Sequence, residues 1–100
     1  MYNTFILNYE PQMSDPSPIR LIEFVRSNFY TYQYMTPFFS VIIVKSTATL
    51  EQMIKSYNPF LSPNNFLLTQ VAPSMVNGLL PTNYWQWINA EAPPPLISSS

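Results

Sequence analysis

Apolar and polar positions alternate over residues 2–9 with the two-residue period of a β-strand. Phe5, Leu7 and Tyr9 share one face of this segment, and the residues between them share the other. Residues 10–16 follow, with two prolines and small polar side chains that block both a helix and a strand ladder. The pattern predicts a first strand that runs into a loop.

Helical spacing replaces the alternation after this loop. Ser17-Pro18 supplies a helix cap followed by proline at the first helical position. One apolar side then continues with helical spacing through Leu21, Ile22 and Val25. A first helix is therefore expected to end near residues 27–28.

Two further strands are predicted in the middle of the chain. Residues 29–35 alternate again, with three tyrosines on one face: Tyr30, Tyr32 and Tyr34. Thr36-Pro37 is expected to interrupt the pairing. Residues 38–45 contain the β-branched run Val41-Ile42-Ile43-Val44, which is typical of a central strand with both faces buried.

The second half of the chain adds a helix, a strand and a short aromatic helix. Thr49 opens a capping box, and the helix is expected to stop before Pro59. Residues 66–71 form a further predicted strand, and Pro73 and Gly78 bracket a loop. A short helix after Pro81 carries the last aromatic residues, which are Tyr84, Trp85 and Trp87.

The element order is strand, helix, strand, strand, helix, strand. It predicts an α+β protein of ferredoxin-like chain order, with an antiparallel sheet, two helices on one face and the short aromatic helix added at the C-terminal side. Residues 1–89 form one predicted domain. Residues 90–100 contain three consecutive prolines and three terminal serines, a composition typical of a flexible tail.

Composition restricts the chemistry of this chain. Charged residues make up only 9% of the 100 residues, against 47% apolar residues, so much of the surface is expected to be uncharged and to favour a partner. The absence of cysteine and histidine excludes disulfides, cysteine nucleophiles, serine triads and typical zinc sites. Four dispersed Lys and Arg residues predict weak binding to nucleic acid. The N-terminus lacks a basic signal region, and no apolar run reaches membrane-span length, so a cytoplasmic location without membrane contact is expected.

Four segments in this order resemble a known group of small proteins: residues 5–10, 19–23, 40–45 and 61–68. Their order is similar to that of the SinR-like group, which is related to the CRISPR-associated protein 2 family. The resemblance covers residues 2–89. It implies a four-stranded antiparallel sheet with two helices on one face, often in a homodimer joined through sheet surfaces or edge strands.

The same resemblance implies a candidate metal site. In the CRISPR-associated relatives an aspartate that ends strand one is the proposed metal ligand of a nuclease, and the matching residue here is Glu10. Its extra methylene displaces the carboxylate, and octahedral Mg²⁺ tolerates misplacement poorly. Asp15 is the other nearby acid. A magnesium-dependent nuclease with Glu10 and Asp15 as metal ligands is therefore the alternative reading.

Aromatic residues are the other candidates for function. Tyr30, Tyr32 and Tyr34 offer either a base-stacking ladder or, with few cations nearby, a buried or protein-facing surface. Trp85 and Trp87 diverge by about 200° on a helix, so one of them is expected to face a partner unless an irregular segment buries both. These five residues form the predicted interaction surface.

The leading hypothesis is a non-enzymatic, homodimeric module that binds an unidentified protein and needs no cofactor. A small accessory or mobile-element protein, for example one with an anti-defence role, fits this description. The alternative is a nuclease or nucleic-acid-binding protein that resembles the CRISPR-associated relatives, with Glu10 on the metal and Tyr30, Tyr32 and Lys45 near the substrate. An oligomer without an outside partner is the third option.

Overall fold

A computed structural model describes residues 2–90 of the protein. They form an α+β structure with a four-stranded antiparallel sheet, three α-helices and a single 3₁₀ turn at Pro73–Met75. The elements in chain order are β1 (Asn3–Tyr9), α1 (Pro18–Ser27), β2 (Gln33–Phe38), β3 (Val41–Ser46), α2 (Leu50–Leu61), β4 (Phe66–Val71) and α3 (Thr82–Asn89). The strand order across the sheet is β2-β3-β1-β4.

Strand β3 is buried on both faces, whereas β1 is fully buried only on the face of Phe5 and Leu7 and exposes Asn8 on the other. The β-branched run predicted to be a central strand is β3, and Ile42, Ile43 and Val44 are all buried there. Phe5 pairs with Val44 and Ile6 with Ile43, so successive residues point to opposite faces of the sheet. Two separate cores therefore form, one on each face.

The larger core lies between the sheet and helices α1 and α2. It joins Phe5 and Leu7 of β1 to Ile42 and Val44 of β3, and it includes residues from both helices, namely Leu21, Val25, Met53, Tyr57 and Leu61. Both helices begin as the sequence predicts. Ser17 Oγ accepts a hydrogen bond from the Arg20 amide, and the Thr49 capping box is complete.

The smaller core lies on the opposite face, under α3. Met35 and Ile43 of the sheet pack there against Trp87 and Ile88 of the helix. The predicted short aromatic helix is thus confirmed, and it covers part of the sheet face that α1 and α2 leave open.

The second strand differs from its prediction. It spans Gln33–Phe38 rather than residues 29–35, and it contains Pro37, which was expected to end the pairing. The prediction was wrong because β2 is an edge strand, where a residue without an N–H group is tolerated. The pairing of β2 with β3 shifts in register between Met35 and Phe38, around this proline.

The second helix also continues further than expected. It runs through Pro59 to Leu61, although proline removes one hydrogen bond of the helix. Pro59 itself is exposed, whereas Tyr57 and Leu61 on either side of it are fully buried. Packing of this last turn on the larger core offsets the lost bond.

The predicted tail falls almost entirely on residues 91–100, which lie outside the described residues. Within residues 2–90, no helix has the length and apolar character that crossing a membrane requires.

Candidate functional site

An apolar groove of about 480 Å³ opens on the sheet face that carries α3. Its floor is formed by the central strands and its far wall by the segment that leads from the 3₁₀ turn into α3. Twelve residues line it: Ile6, Asn8, Pro37, Phe38, Val41, Ile43, Val76, Asn77, Gly78, Leu79, Leu80 and Trp85. The groove exists because α3 is only eight residues long and covers only part of this face.

Large apolar side chains stand exposed at the mouth of this groove. Phe38 is 60% exposed and Leu79 is 98% exposed. Phe39 follows directly in the β2–β3 turn and is exposed as well. Large exposed apolar side chains beside a groove are typical of a binding surface.

Local backbone geometry sets the shape of the groove. The β2–β3 hairpin turns through Phe39 and Ser40, and Ser40 adopts a left-handed φ of 69°. In the opposite wall Gly78 has a φ of 156°, which strains any residue with a Cβ. Sequence analysis did not select Leu79 and Leu80 as site residues, although two adjacent leucines in a proline-bounded loop were an available signal.

The two edges of the sheet differ in how well they are protected. At one edge, β2 carries Pro37 and a register shift, both of which hinder pairing with another strand. At the other edge, β4 contains neither proline nor charge, and it pairs with β1 through six consecutive residues without a shift. Leu67 of β4 lies on the groove side and is 69% exposed. No strand within residues 2–90 pairs with the outer edge of β4, and in this part of the chain that edge offers a template for a further strand.

The carboxylate of Glu10 is engaged in holding a turn. Its two oxygens accept hydrogen bonds from Asn65, one from the backbone amide at 3.0 Å and one from the side-chain amide at 3.1 Å. Asp15 accepts a hydrogen bond from Arg20 at 3.1 Å instead of joining Glu10. Within residues 2–90, no three potential ligands of the His, Cys, Asp or Glu type form a metal-binding group. Within the described residues, Glu10 and Asp15 therefore each bind a different partner and do not converge on one point.

The three tyrosines do not form one ladder. Tyr30 and Tyr34 are half-buried and pack against the larger core. Tyr32 precedes β2, is exposed, and stacks on Tyr2 with ring centroids 4.2 Å apart. Of the three, Tyr32 has the most accessible ring, whereas Tyr34 lies on the face of β2 that packs against the larger core and Tyr30 packs there from the turn before the strand.

The two tryptophans separate as their spacing on a helix predicts. Trp87 is buried to 2% exposure, and its indole donates a hydrogen bond to Gln33 Oε1 at 3.0 Å. Trp85 is half-buried and lines the groove. Trp85 therefore stays in the candidate surface, whereas Trp87 belongs to the smaller core.

Lys45 is buried beneath the end of α3, with 2% exposure. Its Nζ donates hydrogen bonds to the carbonyl oxygens of Ile88 at 2.6 Å and Ala90 at 3.3 Å, and it lies 5.6 Å from the Trp87 ring centroid. A cation is favourable at a helix C-terminus, where carbonyl groups lack partners. Burial lowers the pKa of Lys45 from its usual 10.5. The residue fastens α3 to the sheet and is not exposed to a substrate.

Replacing Lys45 with methionine is expected to lower the free energy of unfolding by about 2 kcal/mol. The stem is retained, but the buried carbonyl of Ile88 loses its donor, and such a loss costs about 1–3 kcal/mol. Urea denaturation measures the change. The matched control is Lys55→Met, since Lys55 is an exposed residue that forms only a surface ion pair with Glu51. It should change stability by less than about 1 kcal/mol. A gain of stability in Lys45→Met would show that desolvation of the ammonium outweighs its hydrogen bonds.

Comparisons of this chain with protein-family models, with curated proteins and with solved structures find no match.

Proposed function

We propose that this protein is a non-enzymatic, homodimeric protein-interaction module on a ferredoxin-like scaffold. The scaffold assignment is supported by the order of β1–α1–β2–β3–α2–β4 and by the strand order β2-β3-β1-β4. Helix α3 is an addition that covers part of the second sheet face. Like the scaffold assignment, the resemblance to the SinR-like group and the CRISPR-associated protein 2 family remains a prediction.

The open edge of β4 is the observation that carries the dimer proposal. An edge strand exposes a row of N–H and C=O groups, and proteins normally protect it with proline, charge or a bulge. Here β2 has two of these devices and β4 has none. This asymmetry is expected if the β2 edge stays unpaired and the β4 edge pairs with another strand.

A second copy of β4 is the partner that fits this edge. Antiparallel self-pairing around a two-fold axis lets each copy offer the same strand to the other. The absence of charge in Phe66–Val71 means that no like charges meet across the axis. Two exposed Leu67 side chains then bury part of their surface on the groove face.

Substitution of Thr69 by lysine tests this dimer. Thr69 is exposed near the middle of β4, so the two copies of residue 69 lie close together across a two-fold axis. Two like charges there are expected to weaken dimerisation at least tenfold, a change of about 1.4 kcal/mol. Light-scattering mass over a concentration series measures the shift from a dimer toward the 11.6 kDa chain.

The matched control is Thr36→Lys, an exposed threonine on the other edge strand. It should leave the dimer intact. Wild-type protein that is monomeric at all concentrations would overturn the proposal. Equal weakening by both variants would instead point to a general effect of charge rather than to the β4 edge.

The protein partner is proposed to bind the exposed Phe38 and Leu79 and the half-buried Trp85, which line the groove, together with the exposed Phe39 of the adjoining β2–β3 turn. An accessory role in a mobile element fits this surface and the size of the chain. The nuclease alternative is not favoured, because both Glu10 oxygens hold Asn65 and Lys45 holds α3. The interaction module is supported by the exposed apolar surface beside the groove. Among the described residues, Glu10 and Lys45 both hold parts of the fold.

A further inference from the structure

The loop between the 3₁₀ turn and α3 contains Asn77-Gly78, the one place in the chain where asparagine precedes glycine, since Gly78 is the only glycine. Both residues are exposed and lie outside every helix and strand of residues 2–90. A Cβ built on Gly78 would meet nothing within 4 Å, so no neighbouring atoms crowd the peptide bond that follows Asn77. The Asn77 side chain and the Gly78 backbone are therefore accessible to each other and to water.

The Asn77 side chain is folded back on the peptide group that follows it. Its Oδ1 accepts a hydrogen bond from the Gly78 amide at 2.8 Å. Because a carbonyl bond is about 1.2 Å long, the Cγ carbon of Asn77 lies within about 4 Å of the Gly78 nitrogen. A small rotation of the exposed side chain brings the two atoms to the separation of about 3–3.5 Å from which a bond forms. Gly78 has no side chain to obstruct this approach.

Two other exposed asparagines, Asn8 and Asn83, differ from Asn77 in this respect. The backbone amide that follows Asn8 donates a hydrogen bond to the Ser40 carbonyl at 3.2 Å. The amide that follows Asn83 donates to the Pro81 carbonyl at 3.0 Å, in the first turn of α3. Both amides are held by the backbone and directed away from the asparagine side chain. Asn77 is instead followed by an amide that donates to the side chain it would attack.

We propose that Asn77 is a site of spontaneous covalent modification, at which the asparagine converts to aspartate and isoaspartate through a cyclic imide. The Gly78 nitrogen gives up its proton and bonds to Asn77 Cγ. The Cγ–Nδ2 bond breaks, and the side-chain nitrogen takes up a proton and leaves as ammonia. Water then opens the five-membered ring, and it gives aspartate by breaking the new bond to Cγ or isoaspartate by breaking the bond to the main-chain carbonyl carbon. Water is the only co-reactant, and no atom is oxidised or reduced.

The modification places a carboxylate in the wall of an uncharged groove. Asn77 is one of the residues that line this groove, and none of them is acidic or basic. One added carboxylate changes the net charge of the chain from −1 to −2. Because the reaction needs no enzyme, older copies of the protein carry the carboxylate and newly made copies do not. The reaction depends neither on the β4 dimer nor on any occupant of the groove.

Incubation of the full chain at mildly alkaline pH, followed by mass spectrometry, tests the proposal. Each conversion raises the mass by about 1 Da, and fragmentation of peptic peptides, prepared in acid to prevent further reaction, locates it. In the folded protein, Asn77 should convert at least about tenfold faster than Asn8 or Asn83. The same protein unfolded in urea is the reference. Unfolding should accelerate conversion at Asn8 and Asn83, because it releases the amides that follow them, but not at Asn77.

A matched pair of variants confirms the position. Asn77→Gln should lose the rapid mass gain, because glutamine would have to close a less favourable six-membered ring, whereas Asn83→Gln should keep it. A rapid mass gain that persists in Asn77→Gln would overturn the proposal. So would conversion of Asn77 no faster than that of Asn8 and Asn83 in the folded protein. Acceleration of Asn77 by urea to the same extent as these two would also overturn it, since the folded loop would then restrain the reaction.

Discussion

Replacing Trp87 with alanine is expected to lower the free energy of unfolding by about 3–5 kcal/mol, the usual cost of removing a large buried aromatic side chain. Trp87 is the largest member of the smaller core and packs there with Met35, Ile43 and Ile88. Its indole also donates a hydrogen bond to Gln33, and that half-buried acceptor loses its donor in the variant. Urea denaturation followed by far-UV circular dichroism measures the loss.

Trp85→Ala is the matched control on the same helix. Trp85 is half-buried at the groove, so its loss should cost only about 1–2 kcal/mol. Trp87→Phe should fall between the two alanine variants, because it keeps a ring but loses the indole N–H. Equal losses in Trp85→Ala and Trp87→Ala would contradict the assignment of one tryptophan to the core and the other to the surface.

Between pH 10 and pH 12 the wild-type protein is expected to lose about 2–3 kcal/mol of stability because of Tyr57. The Tyr57→Phe variant is expected not to show this loss. The Tyr57 side chain is fully buried, and burial raises its pKa to about 12 from 10.0, while the nearby Thr31 hydroxyl offsets this only in part. Above pH 10 the unfolded chain loses the phenolic proton that the folded protein keeps. Stability therefore falls as pH rises through this window, by about 1.4 kcal/mol per pH unit.

Unfolding curves at several pH values from 8 to 12 test this prediction. At pH 8 the variant should be as stable as the wild type or more stable by up to about 1 kcal/mol, because neither the Tyr57 nor the Thr31 hydroxyl makes a well-formed hydrogen bond. Tyr9→Phe should change the alkaline slope in the same direction, since burial raises the pKa of Tyr9 too.

Lys45 acts with the opposite sign, in a pH range that ends near 10.5. Its pKa is lowered by burial, so the unfolded chain binds more protons than the folded protein between the lowered value and 10.5. Its contribution to stability rises with pH there. Comparing Tyr57→Phe with wild type cancels this term, since both proteins contain Lys45. An unchanged alkaline slope in Tyr57→Phe would refute the Tyr57 assignment.

Elements with strong local signals were predictable from the sequence. The Ser17 and Thr49 caps start α1 and α2 as expected, because a side-chain oxygen within three residues satisfies the free amides of a helix start. The run Val41–Val44 is a central strand. Divergence of Trp85 and Trp87 also follows from helix geometry alone, although which of them faces inward does not.

Elements that depend on neighbours were not predictable in the same way. Proline was read as an end signal at Pro37 and Pro59, and both residues lie inside their elements. Local chemistry opposes proline at such positions, but an edge strand and a well-packed last helical turn tolerate it. For this reason the observed bounds of β2 differ from the predicted ones.

The candidate site was the least predictable feature. The groove brings Ile6, Phe38, Leu79 and Trp85 together from four separate segments. Glu10 was a metal ligand only in the alternative nuclease hypothesis, and the sequence did not indicate that a residue 55 positions later, Asn65, donates hydrogen bonds to both of its oxygens. Lys45 lies opposite Gln33 in the sheet and reaches carbonyls more than 40 residues away.

The sequence by itself determined the order of the elements, the helix starts, the central strand and the lack of cysteine and histidine chemistry. These follow from periodicity, caps and composition, which act over a few residues. The tertiary structure alone decided which side chains are accessible, which edge of the sheet is open, and that α3 leaves a groove. Those properties depend on contacts between residues distant in the chain, where packing and not local propensity sets the outcome.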